Sequence, residues 1–388
     1  MNKRIVIVTY NWLPRNAIGT HRVYAWARYW AEAGAHVTVL TAQKQPFDAP
    51  LDLHLPALPA VRVVEVPFGK PMSLVGHTLQ SSVMRRLAKA VRAHINRWRT
   101  KPLDPRSVWR DAAQPIAMEL AMDSDIVVSS YGPAASHLIA SDMKQANSSL
   151  RWAADYRDLW SQCHHTNVTP VTQQAMREEE LASVGQSADI VSSVSRDFTR
   201  QIKELLAKPT IFVPNGFDID DETVRSRLNA KPVSPGTPLR IVYTGTIYDG
   251  LRDPRPLLSA LDKLYKQGDL QEGEITVDFY GSRLEPLQRI HRDPAYARFV
   301  RIMGHVSRQD ALEAQRSADL LLLLESPLPE ARGVLTGKIF EYIAAGKPII
   351  CIGSRPDYEI GKVLSSTSTG AAVGPEAMRA VIADLFAR

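Results

Sequence analysis

A chain of 388 residues is longer than one hydrophobic core usually supports, so two domains are expected. With 45% hydrophobic and 23% charged residues it has the composition of an ordinary globular protein, and no apolar run approaches the roughly 20 residues that span a bilayer. The net charge of +6 is concentrated, because residues 84–110 hold nine Lys or Arg against one acid, Asp104, while the remainder is close to balance.

The opening MNKRIVIVTYNWLP has a basic tip but neither a long apolar stretch nor a small-residue cleavage site, so it reads as a first strand and not as a signal peptide. Two distant cysteines, Cys163 and Cys351, argue for a reducing compartment without a disulfide framework, which makes the cytoplasm the expected location. RIVIVTY (4–10) is an expected strand and HRVYAWARYWAEAG (21–34) a helix ended by Gly34. Strands follow at HVTVLTA (36–42) and VRVVEVP (61–67). In the basic segment Val83, Leu87, Val91, Ile95 and Trp98 recur at helical spacing, with Arg85, Arg86, Lys89, Arg92 and Arg99 on the other faces. That pattern suits an anionic membrane surface or a phosphate-bearing acceptor, and equally a solvated face packed on its own domain. No nucleic-acid-binding motif accompanies the charge, so nucleic acid is not an expected partner.

DIVVSSY (125–131) is a strand running into a helix, GPAASHLIASDMKQ, and strands continue at 150–160, 188–195 and 210–216. The polar stretch 218–238 is the expected linker. The pattern then restarts with LRIVYTG (239–245), a helix over 254–267, and strands at 274–281, 299–306, 319–325 and 348–353. Strand–helix alternation of this kind means parallel sheets with helices on both faces. The expected class is α/β, with two doubly wound halves and a cleft between them: domains 1–220 and 221–374, then a last helix over 375–388.

Ligands of open parallel sheets lie beyond the carboxyl ends of the strands, which directs attention to the loops there. In GVLTGKIFEYIAAGKPII (333–350), Lys338 and Glu341 share one face in the first turn of a helix, Thr336 can cap it, and Gly337 admits close backbone approach. A phosphate at the amides, neutralised by Lys338, would leave Glu341 to accept from a vicinal diol. The ligand implied is a sugar nucleotide, and the alternative is a capped helix with a surface ion pair. Gly19, in PRNAIGTHR (14–22), would let backbone approach a diphosphate from the other side. DYRDLW (155–160) gathers Asp155, Arg157 and Asp158 at a strand end, either as an internal ion pair or as catalytic groups. His137, a turn into its helix, is a further catalytic candidate, a packed core histidine being the other reading. Cys163-His164-His165 matches no standard metal spacing, and no metal site is expected.

The stretches GVLTGKIFEYIAAGKPI, FVPNGFD (212–218) and AADYRDLW, in this order, resemble the GT-B glycosyltransferases, and more closely family four, the retaining branch with O-antigen and capsule enzymes. The resemblance covers essentially the whole chain. It implies two Rossmann-like domains, the donor bound mainly by the second and the acceptor by the first, no required metal or cofactor, and a final helix that packs back on the first domain. It places Glu341 at the donor ribose, Thr336, Gly337 and Lys338 at the diphosphate, Gly19 in the first loop, and Gly304, His305 and Val306 at the base. Three departures stand out. Gly333 replaces the first glutamate of the family's E-x7-E motif, Arg157 followed by Asp158 stands where a catalytic histidine is common, and Arg252 or Arg255 replaces the arginine–lysine pair of domain two.

The implied function is retaining transfer of a hexose or N-acetylhexosamine from a nucleotide-diphosphate sugar, UDP being the expected nucleotide, to an acceptor hydroxyl in surface polysaccharide or glycolipid synthesis. Arg157, Asp158 and His137 are the catalytic candidates. Arg85, Arg86, Lys89 and Arg92 would hold a lipid-linked or oligosaccharide acceptor at the inner face of the plasma membrane. A sugar-nucleotide 2-epimerase of the same architecture and a non-catalytic sugar-nucleotide-binding protein are the alternatives.

Overall fold

The computed structural model describes residues 3–45, 48, 50–68, 87, 90, 105–162, 169–217, 238–247, 251–281 and 285–386. The chain divides into two compact units, Met1–Pro214 and Asn215–Arg388. Residues 218–237 of the expected linker lie just past that division and outside the described residues. Outside them too are Arg85, Arg86, Lys89, Arg92 and the Cys163-His164-His165 run.

The first unit runs β1 (Arg4–Val8), α1 (Ile18–Glu32), β2 (His36–Ala42), β3 (Val61–Val66), α2 (Trp109–Asp123), β4 (Ile126–Ser130), α3 (Ala135–Ala146), β5 (Arg151–Tyr156), α4 (Pro170–Glu180), β6 (Ile190–Ser193), α5 (Arg196–Leu206) and β7 (Thr210–Phe212). Its seven strands are parallel, in the order β3-β2-β1-β4-β5-β6-β7. The order reverses between β1 and β4, which pair in register from Ile5 opposite Ile126 to Val8 opposite Ser129. Val6, Ile7 and Val8 are buried because helices cover both faces, which is why β1 reads as an unbroken apolar run. Two helices missed in the sequence carry good caps. Thr169 accepts from the Thr172 amide at 3.2 Å ahead of Pro170 in α4, and Ser195 accepts from the Phe198 amide at 3.2 Å ahead of α5.

The second unit runs β8 (Leu239–Thr244), α6 (Arg255–Gln267), β9 (Ile275–Tyr280), α7 (Glu285–His291), α8 (Pro294–Ala297), β10 (Val300–Gly304), α9 (Arg308–Arg316), β11 (Leu320–Leu324), α10 (Lys338–Ala345), β12 (Ile349–Ile352), α11 (Glu359–Thr367), β13 (Gly370–Ala372) and α12 (Pro375–Phe386). Its six parallel strands lie in the order β10-β9-β8-β11-β12-β13, so this order reverses at β8 and β11. Gly346, at φ +70, ends α10 as the sequence indicates. Helix α12 belongs to this unit and packs on α6, with Met378 and Ile382, one turn apart, in the same buried cluster as Leu257 and Leu261. That corrects the expectation of a last helix returning to the first domain, since its apolar face is already covered here.

Asp155 settles part of the question raised by DYRDLW. Its carboxylate is fully buried and accepts from Arg22 Nη2 at 2.7 Å and Nε at 3.1 Å, from Ser192 at 2.8 Å and from Ser130 at 3.3 Å. Arg22 in turn donates to the Pro214 carbonyl at 3.1 Å and lies over the Trp26 ring. The ion pair therefore ties α1, β4, β5, β6 and the end of the unit together. Asp155→Ala is expected to destabilise this unit by about 3–5 kcal/mol, because Arg22 keeps a buried charge without its counterion. Denaturant unfolding measures it, and a loss below about 1 kcal/mol would mean that the pair behaves like an exposed one.

Candidate functional site

Where β8 and β11 diverge, the chain turns out of the sheet with Gly245 at φ +137, a backbone state that favours glycine. A Cβ there would collide with Nζ and Cε of Lys338, the first residue of α10. The Lys338 ammonium lies 4.8 Å from the Tyr243 ring centroid and donates to the Tyr243 hydroxyl at 3.2 Å, while that hydroxyl donates to the Thr246 carbonyl at 2.8 Å. Arg252 reaches in from the following loop. One of its nitrogens is 3.7 Å from Glu325 Oε2 and another donates to the Thr246 carbonyl at 3.4 Å. Glu325 closes β11 after five buried leucines, and its side chain is 7% exposed.

Two cations thus face one buried carboxylate. Burial lowers the Lys338 pKa to about 7, helped by the Arg252 charge and opposed by Glu325 and Glu341. Burial raises Glu325, against the pull of Arg252 and Lys338. Oε1 of Glu325 has no hydrogen-bond partner among the described residues. Helix α10 adds its free amides, because the residue at its N-cap is Gly337 and no side chain caps it. Thr336, expected as the cap, instead accepts from the Ile339 amide through its carbonyl at 3.3 Å, since the helix starts one residue later. An anion with two or more charged oxygens fits this set of donors.

Glu341 lies one turn along α10, bound by Arg308 of α9 at 2.7 Å and by Gln315 at 3.4 Å. Gln315 is buried and also donates to Thr244 Oγ1 at 3.0 Å, while the Thr244 amide donates to the Tyr342 hydroxyl at 3.0 Å. Glu341 is therefore fixed to the end of β8 through Gln315 and Thr244. The sequence reading found Lys338 and Glu341 but missed Glu325, Tyr243, Gln315 and Arg308, which lie 13 to 95 residues away along the chain. The one available signal was an acid closing the run of leucines. Arg252 joins the site, whereas Arg255 is held by Asp253 at 2.7 Å on the surface. Both line a cavity of about 270 Å³ with Arg289, Asp293 and Tyr296. Gly304, at φ +80, ends β10 and accepts from the Gly281 amide at 2.7 Å. His305 is exposed, and Val306 packs against the cluster that holds Tyr342 and Ile339.

In the first unit the catalytic reading of His137 is corrected. Its side chain is enclosed by Tyr131, Trp152, Tyr156 and Trp160, with Nδ1 2.7 Å from Ser129 Oγ, which accepts from Trp152 Nε1 at 2.8 Å. Burial pulls its pKa down to about 3, so it is a neutral core residue. Arg157 turns away from the ladder, which ends the strand at Tyr156, and its Nε donates to the Tyr131 carbonyl at 3.3 Å. Its guanidinium fills the space beside Gly19, where a Cβ would stand 2.5 Å from it. The glycine makes room for an arginine of its own unit. Asp158, half-exposed, is 3.8 Å from Arg157.

No protein-family model and no curated protein sequence matches the chain. Among solved structures it is similar to the apo form of the lipopolysaccharide outer core galactosyltransferase WaaB, with a TM-score of 0.51 at 13% identity over 97% of this chain and 94% of that one. An E. coli structure described as trehalose-6-phosphate bound with UDP-2-fluoro glucose gives a TM-score of 0.57 at 14% identity, over 98% of this chain and 90% of the other. A Listeria monocytogenes protein assigned as a UDP-N-acetylglucosamine 2-epimerase gives 0.50 at 14%, over 100% and 89%. The chain spans about half, 54%, of the longer chain it matches in the GtfA/B complex. At these identities the likeness is one of fold. The chain has the GT-B fold, with two parallel-sheet α/β units.

An ammonium whose pKa is lowered on folding costs most stability where the native state must carry the charge. From about pH 7 toward about 10 the unfolded chain holds more protons, so stability rises with pH there. Wild type should gain on Lys338→Met over that range, by up to about 1.4 kcal/mol per pH unit, in urea unfolding of both proteins. Parallel curves would show an ordinary lysine.

Proposed function

We propose that the chain is a retaining glycosyltransferase that moves a hexose or N-acetylhexosamine from a nucleotide-diphosphate sugar, UDP foremost, to an acceptor hydroxyl. The observation that carries this reading is the pairing of Lys338 and Arg252 at the β8–β11 divergence, with Glu341 one turn beyond. Two cations and uncapped amides suit a diphosphate, and a carboxylate at that spacing suits the diol of a ribose. In this reading Glu341 exchanges Arg308 for ribose hydroxyls.

The bond from the anomeric carbon to the diphosphate oxygen breaks, and the acceptor oxygen bonds to that carbon on the same face. The acceptor proton passes to the departing diphosphate oxygen. Lys338, Arg252 and the α10 amides stabilise the negative charge that develops there, so catalysis is positioning and electrostatics. Neither metal nor cofactor is called for. Arg157 and Asp158 belong to the acceptor side. A role in surface polysaccharide synthesis, with peripheral membrane contact through residues 84–110, is the accompanying proposal and rests on the sequence. No helix among the described residues is long and apolar enough to cross a membrane.

Epimerisation of the sugar nucleotide is the second reading. It is favoured by Glu325, a buried carboxylate with raised proton affinity and an oxygen without a partner. An epimerase would convert UDP-sugar with no acceptor present, and a transferase would not.

A thermal-shift panel of UDP, GDP, dTDP and ADP tests the donor site. One nucleotide should stabilise the protein, and Glu341→Ala should weaken that shift. A flat panel at saturating ligand would end the reading. Arg252→Ala should weaken binding of the same nucleotide about tenfold or more, through loss of a charge-assisted contact, while Arg255→Ala should stay within about twofold. Calorimetric titration separates the two, and equal losses would contradict the assignment of Arg252.

A further inference from the structure

The first unit gathers cations at its own strand divergence, beyond the carboxyl ends of β1, β2, β4 and β5. Arg15, in the loop after β1, donates through Nη1 to Asn11 Oδ1. Asn11 Nδ2 donates to the Gly132 carbonyl at 3.1 Å, and a Cβ on Gly132 would stand 2.8 Å from Arg157 Nη2. Asn11 and Gly132 therefore bridge two arginines whose side chains are only 12% and 13% exposed. Lys44 stands beside them, 5.0 Å from the centroid of Tyr10, whose hydroxyl donates to Asp48 at 2.8 Å. Asp48 is 3.8 Å from Arg15 Nε, and Arg106 is near enough to act on both Arg15 and Tyr10.

The charge balance of this cluster is unfavourable as it stands. Four cations converge on one buried carboxylate, Asp48, since Asp158 is largely exposed and Glu65 lies on the outside of β3. The Arg157 guanidinium rests against Gly19 in the first turn of α1, the positive end of that helix. Neither α1 nor α3 has an acidic residue in its first turn or a side-chain cap. Burial lowers the Arg15 pKa, with the Arg106 charge adding to it, and burial brings Lys44 to about 8. Each of these costs is relieved by an anion with several charged oxygens.

We propose that Arg15, Lys44, Arg106 and Arg157 form a binding site for a phosphate monoester, and that the acceptor of this chain carries that group. The second clause rests on the glycosyltransferase reading, whereas the site itself does not. Two sources share the chemistry, a soluble phosphorylated saccharide and a lipid phosphate.

Calorimetric titration of the full chain with inorganic phosphate, with a hexose phosphate, and with vesicles of equimolar phosphatidylcholine and phosphatidic acid tests the site. UDP is titrated into the same samples. The monoester should bind, and Arg15→Met and Arg157→Met should each lower its affinity about tenfold or more, as loss of a charged donor implies. UDP affinity should be unchanged in both variants. Asp48→Asn removes the competing carboxylate and should tighten phosphate binding, a gain that a merely structural cluster would not give. Binding of the hexose phosphate alone assigns a soluble acceptor, and binding of the vesicles alone a lipid one. If UDP binds and no phosphate probe does, or if the arginine variants bind phosphate as wild type does, the site is overturned and the donor reading stands. Phosphate binding that depends on Arg15, with no response to UDP, would keep the site and sink the donor reading.

Discussion

A parallel strand covered by helices on both faces can carry a polar side chain only where it leaves the sheet. That constraint organises both units. β11 is five buried leucines and then Glu325, β8 is apolar until Tyr243-Thr244-Gly245, and β5 ends in Asp155-Tyr156-Arg157. The charges have nowhere else to go, so they accumulate at one edge of each sheet, where helix N-termini also point. Within that edge the order reversals at β1/β4 and β8/β11 leave room between diverging loops. Glycines mark the tightest points, Gly245 against Lys338 and Gly132 against Arg157.

The same constraint explains what was legible in the sequence. Central strands announce themselves as apolar runs, and RIVIV and LLLLL were placed within a few residues. The three-residue edge strand Gly370–Ala372 carries no such run and was missed. Helices α4 and α5 were missed because their polar composition hides the period, although Thr169-Pro170 and Ser195 are legible starting signals. Strand ends were overextended at 150–160, where the apolar Leu159 and Trp160 fold back over His137 instead of continuing the ladder.

The site was half legible for a related reason. Lys338 and Glu341 lie on one turn, and spacing along a helix is local information. Glu325, Arg252 and Tyr243 reach Lys338 only through the strand order, which no local pattern encodes. His137 shows the opposite error. Its place at a helix start suggested exposure, but the residues that enclose it come from β4, β5 and the segment after β5. The Lys338–Glu341 pair imagined on the helix surface is divided, since Lys338 turns inward to Tyr243 and Glu341 outward to Arg308.

The division of the chain at Pro214 has an optical counterpart. All seven tryptophans, from Trp12 to Trp160, precede it, and several, Trp109 and Trp152 among them, are fully buried. Indole emission from this protein is therefore a signal of its first half alone, while the second half carries only tyrosine and phenylalanine chromophores. Unfolding followed at the red edge of excitation reports the Arg22–Asp155 unit by itself, and the same sample followed by far-ultraviolet dichroism reports both. The two traces separate if the halves melt apart and coincide if they melt together, so the native chain already carries the label needed to time one half against the other.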